Sequence, residues 1–141
     1  MRTILFVCVE NACRSLMAEA MFNARAPAGW RALSAGTEPA REPNPRTASM
    51  LSEIGFAMPG HDPRPLTEEL AQGASRKITM GCLDRTSCPA YLGGERTEDW
   101  GLPDPGPLDD DGFRAVRDEL RLRVERLIGE LAKDGPSRPR A

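Results

Sequence analysis

Much of what this chain could be is excluded by what it lacks. It contains one histidine, His61, and a histidine without a second partner at metal spacing reads as a structural or solvated side chain before it reads as a base or a ligand. No apolar run approaches the roughly 20 residues of a membrane span. Met1-Arg2-Thr3 leads straight into a strand with no signal-peptide pattern, so a cytoplasmic protein with no membrane partner is expected. An excess of basic charge is missing too: the net charge is -2 and the pI is near 5.5, which leaves no electrostatic case for nucleic acid. The four cysteines, Cys8, Cys13, Cys82 and Cys88, fall as Cys-x4-Cys and Cys-x5-Cys, and neither spacing matches the short knuckle of structural zinc. A chain of this size in a reducing compartment needs no disulfide staples, so clustered thiols there more often do chemistry.

What is present is the composition of a soluble globular protein, with 40% hydrophobic and 28% charged residues in 141. That length carries one domain, assigned here to residues 1–133, with a flexible tail over 134–141.

The informative stretch is Val7-Cys8-Val9-Glu10-Asn11-Ala12-Cys13-Arg14-Ser15. It follows the buried-strand run Ile4-Leu5-Phe6-Val7 and precedes Leu16-Met17-Ala18-Glu19-Ala20-Met21-Phe22, which reads as a helix. A strand, a tight loop and a helix N-terminus make a cradle for an oxyanion, because loop and first-turn amides point inward and the helix dipole adds positive charge. Residues Val9 to Ser15 would line or support it. Loop amides, the helix terminus and the Ser15 hydroxyl would all favour Cys8 as a thiolate. Arg14 supplies a planar fork for two oxygens of a tetrahedral dianion while the sulfur attacks its centre. Asn11 can bond across the loop and tolerates positive φ. The plainer reading, a structural cysteine with a surface arginine, is disfavoured by the placement between strand and helix.

The remaining elements follow from local signals. Strand one covers residues 2–8 and is buried on both faces, hence central in a parallel sheet. A helix runs from about Ser15 to Arg25, with Met17, Met21 and Phe22 as core. A short strand covers 30–35. Asn44-Pro45, followed by Gly55, frames a second helix with Met50, Leu51 and Ile54 toward the sheet. Thr67 caps a short helix in 66–71, residues 76–80 form the third strand, and an edge strand lies within 95–100. The last helix runs from about Gly112 to Ala132, with Phe113, Val116, Leu120, Val124, Leu127, Ile128 and Leu131 in one stripe and arginines and acids on a solvated face. The order β-α-β-α-(α)-β-β-α gives an α/β fold, a four-stranded mostly parallel sheet with helices on both faces. Cys8, Arg14, Cys82, Cys88 and Asp104 all come from loops that follow strands, which sends them to one rim. Prolines on either side of Asp104 stiffen its loop and could hold the carboxyl group over the cradle as a general acid; by residue type alone, a solvated turn aspartate is the commoner reading.

The cradle, Ser34-Ala35-Gly36-Thr37, the segment Met80-Gly81-Cys82 to Cys88-Pro89, and Glu98-Asp99-Trp100-Gly101-Leu102-Pro103-Asp104-Pro105 together resemble the low-molecular-weight protein tyrosine phosphatase superfamily, and within it the thioredoxin-coupled arsenate reductases. Glu10 departs from the phosphatases' usual glycine and Leu16 from the reductases' frequent glutamine.

The resemblance implies arsenate reduction and arsenical resistance. Cys8 would form an arsenate adduct protonated by Asp104, Cys82 would attack Cys8, Cys88 would attack Cys82, and thioredoxin would reduce the last disulfide. Phosphate and sulfate would act as arsenate analogues, and no metal or organic cofactor is needed. In some relatives, counterparts of Asn11, Glu19 and Ser34 hold a monovalent cation; here Asp62, Pro63 and Arg64 after His61 depart from that pattern. The alternative is a low-molecular-weight tyrosine phosphatase that hydrolyses aryl phosphates through a Cys8 phosphocysteine. Two features favour the reductase: the Cys82 and Cys88 pair, and Gly106-Pro107 where those phosphatases place aromatics. A third reading is a redox sensor or metal-binding protein whose thiols hold zinc or arsenite. Cys13 fits either a packed, inert thiol or a partner for Cys8 under oxidation.

Overall fold

The computed structural model describes residues 1–81, 92 and 97–134. Cys82, Cys88 and, of the tail expected over 134–141, residues 135–141 lie outside the described residues, while Asp134 is still helical.

Among the described residues eight elements follow one another: β1 (Arg2–Cys8), α1 (Arg14–Ala24), β2 (Trp30–Gly36), α2 (Pro45–Ser52), α3 (Glu68–Gly73), β3 (Arg76–Thr79), β4 (Thr97–Asp99) and α4 (Asp110–Asp134). The strands form one sheet in the order β2-β1-β3-β4, with every pairing parallel. The central place of β1 follows from its residues, since Ile4, Leu5, Phe6 and Val7 are all fully buried. Their side chains alternate between two cores. Ile4, Phe6 and Cys8 pack with α1, α2 and α4, while Leu5 and Val7 pack with Ala71 of α3 and with Leu92 on the other face. Phe6 meets Phe22 edge-on at 6.3 Å and Trp100 at 5.7 Å, contacts that each add about 0.5–1.5 kcal/mol beyond burial.

Local chemistry sets the element ends as expected. Asn44 Oδ1 accepts from the Arg46 amide at 2.9 Å, with Pro45 in the first turn of α2, and Thr67 Oγ1 accepts from the Leu70 amide at 3.1 Å to cap α3. Gly36, at the end of β2, is required by a close approach: a Cβ there would lie 2.5 Å from the Val9 carbonyl oxygen. The cradle loop therefore rests on the backbone of β2 itself.

One residue of α4 differs from expectation. The apolar stripe is buried as read, with Ile128 at its margin, but Arg117 leaves the solvated face and is only 6% exposed. It falls one turn beyond Phe113 on the inward side, and its Nη1 donates to the Met50 carbonyl at 3.0 Å and to Glu53 Oε1 at 2.6 Å. Arg114 adds a two-point contact to the same carboxylate, both bonds at 2.9 Å. Glu53, just past α2, thus clasps that helix to α4.

The bonds from Arg114 and then Arg117 hold the Glu53 carboxyl down at about 2, against an ordinary value of 4.5. A carboxyl depressed in the folded state contributes stability above its unfolded pKa and loses it as pH falls through the folded one. Glu53→Gln is therefore expected to lower the thermal midpoint at neutral pH, with the gap to wild type closing between pH 4.5 and about 2. Melting curves over that range check it; a gap independent of pH would contradict the clasp.

Candidate active site

The loop between β1 and α1 is closed by one asparagine. Asn11 is fully buried and takes positive φ, +52°, a conformation asparagine tolerates better than most residues. Its amide N–H donates to Cys8 Sγ at 3.2 Å. Its Oδ1 accepts the Arg64 amide at 3.0 Å, which turns Nδ2 toward Ser15 Oγ, 2.7 Å away. Because Ser15 Oγ accepts from Asn11, its own hydrogen is free to point at Cys8 Sγ, 2.9 Å away. Two donors thus converge on the sulfur, the arrangement a thiolate nucleophile accepts.

Arg14, the first residue of α1, is 4% exposed. Its Nη1 donates to the carbonyls of Met80 at 3.2 Å and Leu102 at 2.8 Å, which bolts the guanidinium to the ends of two neighbouring chain segments. Its Nε is buried and, among the described residues, has no partner. Nη2 lies 4.0 Å from Asp104 Oδ1. A buried donor left unpaired is costly unless something fills its place. The Nε–Nη2 edge has the fork geometry from which a tetrahedral oxyanion can accept two hydrogen bonds. A cavity of about 300 Å³ lies beside it, lined by Cys8, Val9, Glu10, Ala12, Cys13, Arg14 and Asp104.

Asp104 stands at the mouth, its side chain 52% exposed. The Gly106 amide donates to its Oδ1 at 3.0 Å. Glu10 is also exposed at this mouth, and its carbonyl accepts the Ala40 amide at 2.9 Å. Cys13 shares the cavity wall but is a different kind of thiol. Burial pushes it up to about 11, so at neutral pH it stays protonated.

Sequence reading brought Cys8, Arg14, Ser15, Asn11 and Asp104 to this place, and the structure gathers them; Cys82 and Cys88 lie outside the described residues. The structure adds groups that carry no local signal. Thr47 Oγ1 and the Asn44 amide both donate to the Ala12 carbonyl, at 2.7 and 3.1 Å, and Arg46 reaches the loop after Asp104.

Glu19 and Ser34, singled out with Asn11 for a cation, are in contact: Ser34 Oγ donates to Glu19 Oε1. His61 Nε2 sits 2.9 and 3.0 Å from the two carboxylate oxygens. Glu19 therefore holds both Ser34 and His61, while Asn11 Oδ1 accepts the Arg64 amide.

The sequence model of the family described as low molecular weight phosphotyrosine protein phosphatase matches residues 3–137. An arsenate reductase of Staphylococcus aureus is 30% identical over 127 residues, 89% of this chain and 95% of that protein. The structure of a thioredoxin-dependent arsenate reductase from Corynebacterium glutamicum superposes with a TM-score of 0.78 at 32% identity, over 95% of this chain and 63% of that one. The YwlE arginine phosphatase from Geobacillus stearothermophilus superposes with a TM-score of 0.81 at 26% identity, over 95% of each chain.

Removing the Asn11 side chain leaves the Arg64 amide unpaired and frees Ser15 to turn away from the sulfur. Asn11→Gly, which keeps positive φ accessible, is expected to cost about 1–3 kcal/mol in denaturant unfolding, and Asn11→Ala about 1 kcal/mol more for the left-handed backbone. Equal stability of Asn11→Gly and wild type would contradict the role of the side chain.

Proposed function

Since the chain belongs to the low molecular weight phosphotyrosine protein phosphatase family, we propose that it reduces arsenate to arsenite with three of its thiols, Cys8, Cys82 and Cys88. The observation that carries this is the Arg14 guanidinium, pinned by two carbonyls through Nη1, with a buried Nε that has no partner among the described residues, in the wall of the cavity that Cys8 also lines. Such an edge binds a tetrahedral oxyanion and holds its central atom in line with the nucleophile.

The steps balance as follows. The Cys8 thiolate forms a bond to arsenic(V) and an arsenic–oxygen bond breaks, the departing oxygen taking a proton from Asp104 and leaving as water. The Cys82 thiolate then attacks the Cys8 sulfur. A disulfide forms, the sulfur–arsenic bond breaks, and its electron pair stays on arsenic, which leaves as arsenite. Two thiols have lost two electrons and arsenic has gained them. Attack by the Cys88 thiolate on the Cys82 sulfur frees Cys8 and leaves a Cys82–Cys88 disulfide, which a dithiol such as thioredoxin reduces by exchange.

The sheet supports the second step. β3 runs beside β1, and the Met80 amide donates to the Val7 carbonyl at 3.1 Å, so the chain enters the segment with Cys82 alongside the strand that carries Cys8. The arsenate reductases among the relatives support the substrate, and the thioredoxin-dependent one supports the reductant. Phosphate, isosteric with arsenate, would occupy the same cradle.

The second reading keeps Cys8, Arg14 and Asp104 but ends with water hydrolysing a phosphocysteine, as the likeness to an arginine phosphatase allows. The cysteine pair in 82–88 distinguishes the two.

With thioredoxin, its reductase and NADPH supplied, wild type is expected to consume NADPH over many turnovers in response to arsenate, and Cys88→Ser to stop near one equivalent per chain. Arsenate-independent NADPH use, together with aryl phosphate hydrolysis unchanged in Cys88→Ser, would establish the phosphatase instead.

A further inference from the structure

The first turn of α2 touches both halves of the site. On one side, Thr47 Oγ1 and the Asn44 amide grip the Ala12 carbonyl of the cradle at 2.7 and 3.1 Å. On the other, Arg46 grips the loop that carries Asp104: Nη2 donates to the Gly106 carbonyl at 2.9 Å and lies 3.4 Å from the Pro105 carbonyl. The Pro105 carbonyl and the Gly106 N–H belong to one peptide group. Its oxygen end faces Arg46, and its N–H end donates to Asp104 Oδ1 at 3.0 Å. The guanidinium is itself held, with Nη1 on Asp110 Oδ1 at 3.0 Å and the group lying 4.8 Å over the Phe113 ring. A planar, multidentate cation can fix a peptide plane in this way where a lysine, a point charge on a flexible stem, cannot.

We propose that Arg46 is a positioning residue for the reaction: through the Pro105–Gly106 peptide it sets where the Asp104 carboxyl stands relative to the Cys8 cradle. The first turn of α2 is then the spacer between nucleophile and acid. The pinning matters because Asp104 is half exposed, 52%, and its polar contacts among the described residues are the 3.0 Å bond from the Gly106 amide and the 4.0 Å approach of Arg14. A carboxyl released from that peptide samples orientations that miss the departing oxygen, and misplacement by about 1 Å is enough to lose up to 10²-fold in rate. The inference rests on the reading of Asp104 as general acid.

The test is a double-mutant cycle on the full chain with arsenate and the thioredoxin system, and in parallel with p-nitrophenyl phosphate. Arg46→Met keeps an unbranched stem of similar reach and removes the guanidinium with its side-chain hydrogen bonds and its place over Phe113; Asp104→Asn removes the proton but keeps the acceptor for Gly106. The expected results are a loss in kcat/KM of about 10²-fold or more for Asp104→Asn and about 10-fold or more for Arg46→Met. The double variant is expected to match Asp104→Asn within about twofold, because an acid that is gone cannot be misplaced. The inhibition constant for inorganic phosphate should stay within about twofold in Arg46→Met, since Arg14 and the cradle are untouched, and Arg46→Lys should recover only part of the loss.

Wild-type kcat/KM in Arg46→Met, a loss that multiplies in full on the Asp104→Asn background, or a phosphate affinity that falls in step with the rate would overturn the role given to Arg46. Wild-type rates in Asp104→Asn would overturn the underlying acid assignment instead, whatever Arg46 does. Turnover of neither substrate by wild type would overturn both.

Discussion

The site depends first on a single buried asparagine. Asn11 takes a left-handed backbone, and from that position its amide and side chain serve Cys8, Ser15 and the Arg64 amide together. The direction of each bond follows from the one before. The Arg64 N–H requires an oxygen, so Nδ2 faces Ser15, so the serine hydrogen faces sulfur. A loop of ordinary residues acquires a defined set of donors because one polar side chain has no spare orientation.

Around that loop, the fold solves a positioning problem by convergence. Parallel strands all end on one rim, and Arg14 uses two of those ends as anchors through the Met80 and Leu102 carbonyls. The anchoring fixes which guanidinium nitrogens are used internally and which are left over. What remains is a buried Nε with no partner among the described residues, a donor fixed in place for an acceptor such as the proposed oxyanion. The two thiols in the cavity wall divide by the same logic of environment. Cys8 receives hydrogen bonds, while burial pushes the Cys13 thiol up to about 11.

Features encoded locally were legible in the sequence. The apolar run of β1, the Asn44 cap with Pro45, the Thr67 cap and the stripe of α4 each sit within one element, and each appears where the pattern puts it. The cradle was legible because its residues are contiguous. Asp104 was legible through its flanking prolines and the family resemblance. What escaped was long-range pairing of residues that look ordinary in place. Arg117 reads as one more solvated arginine until α2 is known to end opposite it with the Met50 carbonyl. His61 reads as a lone loop histidine until Glu19, on α1, is found beneath it. Arg46 sits in a capped helix turn that needs no functional reading, and only the return of the chain after Asp104 gives it one. Gly36 belongs to the same class, since nothing local says that the Val9 carbonyl will lie against it.

The claim on which the functional account turns is that Cys8 passes its oxidation to Cys82. Mapping the disulfides of Cys88→Ser after one equivalent of arsenate, with no reductant present, tests it most directly. The account predicts a single Cys8–Cys82 cross-link and one arsenite released per chain. Three free thiols with arsenate recovered unchanged, or a cross-link that joins Cys8 to Cys13, would contradict it.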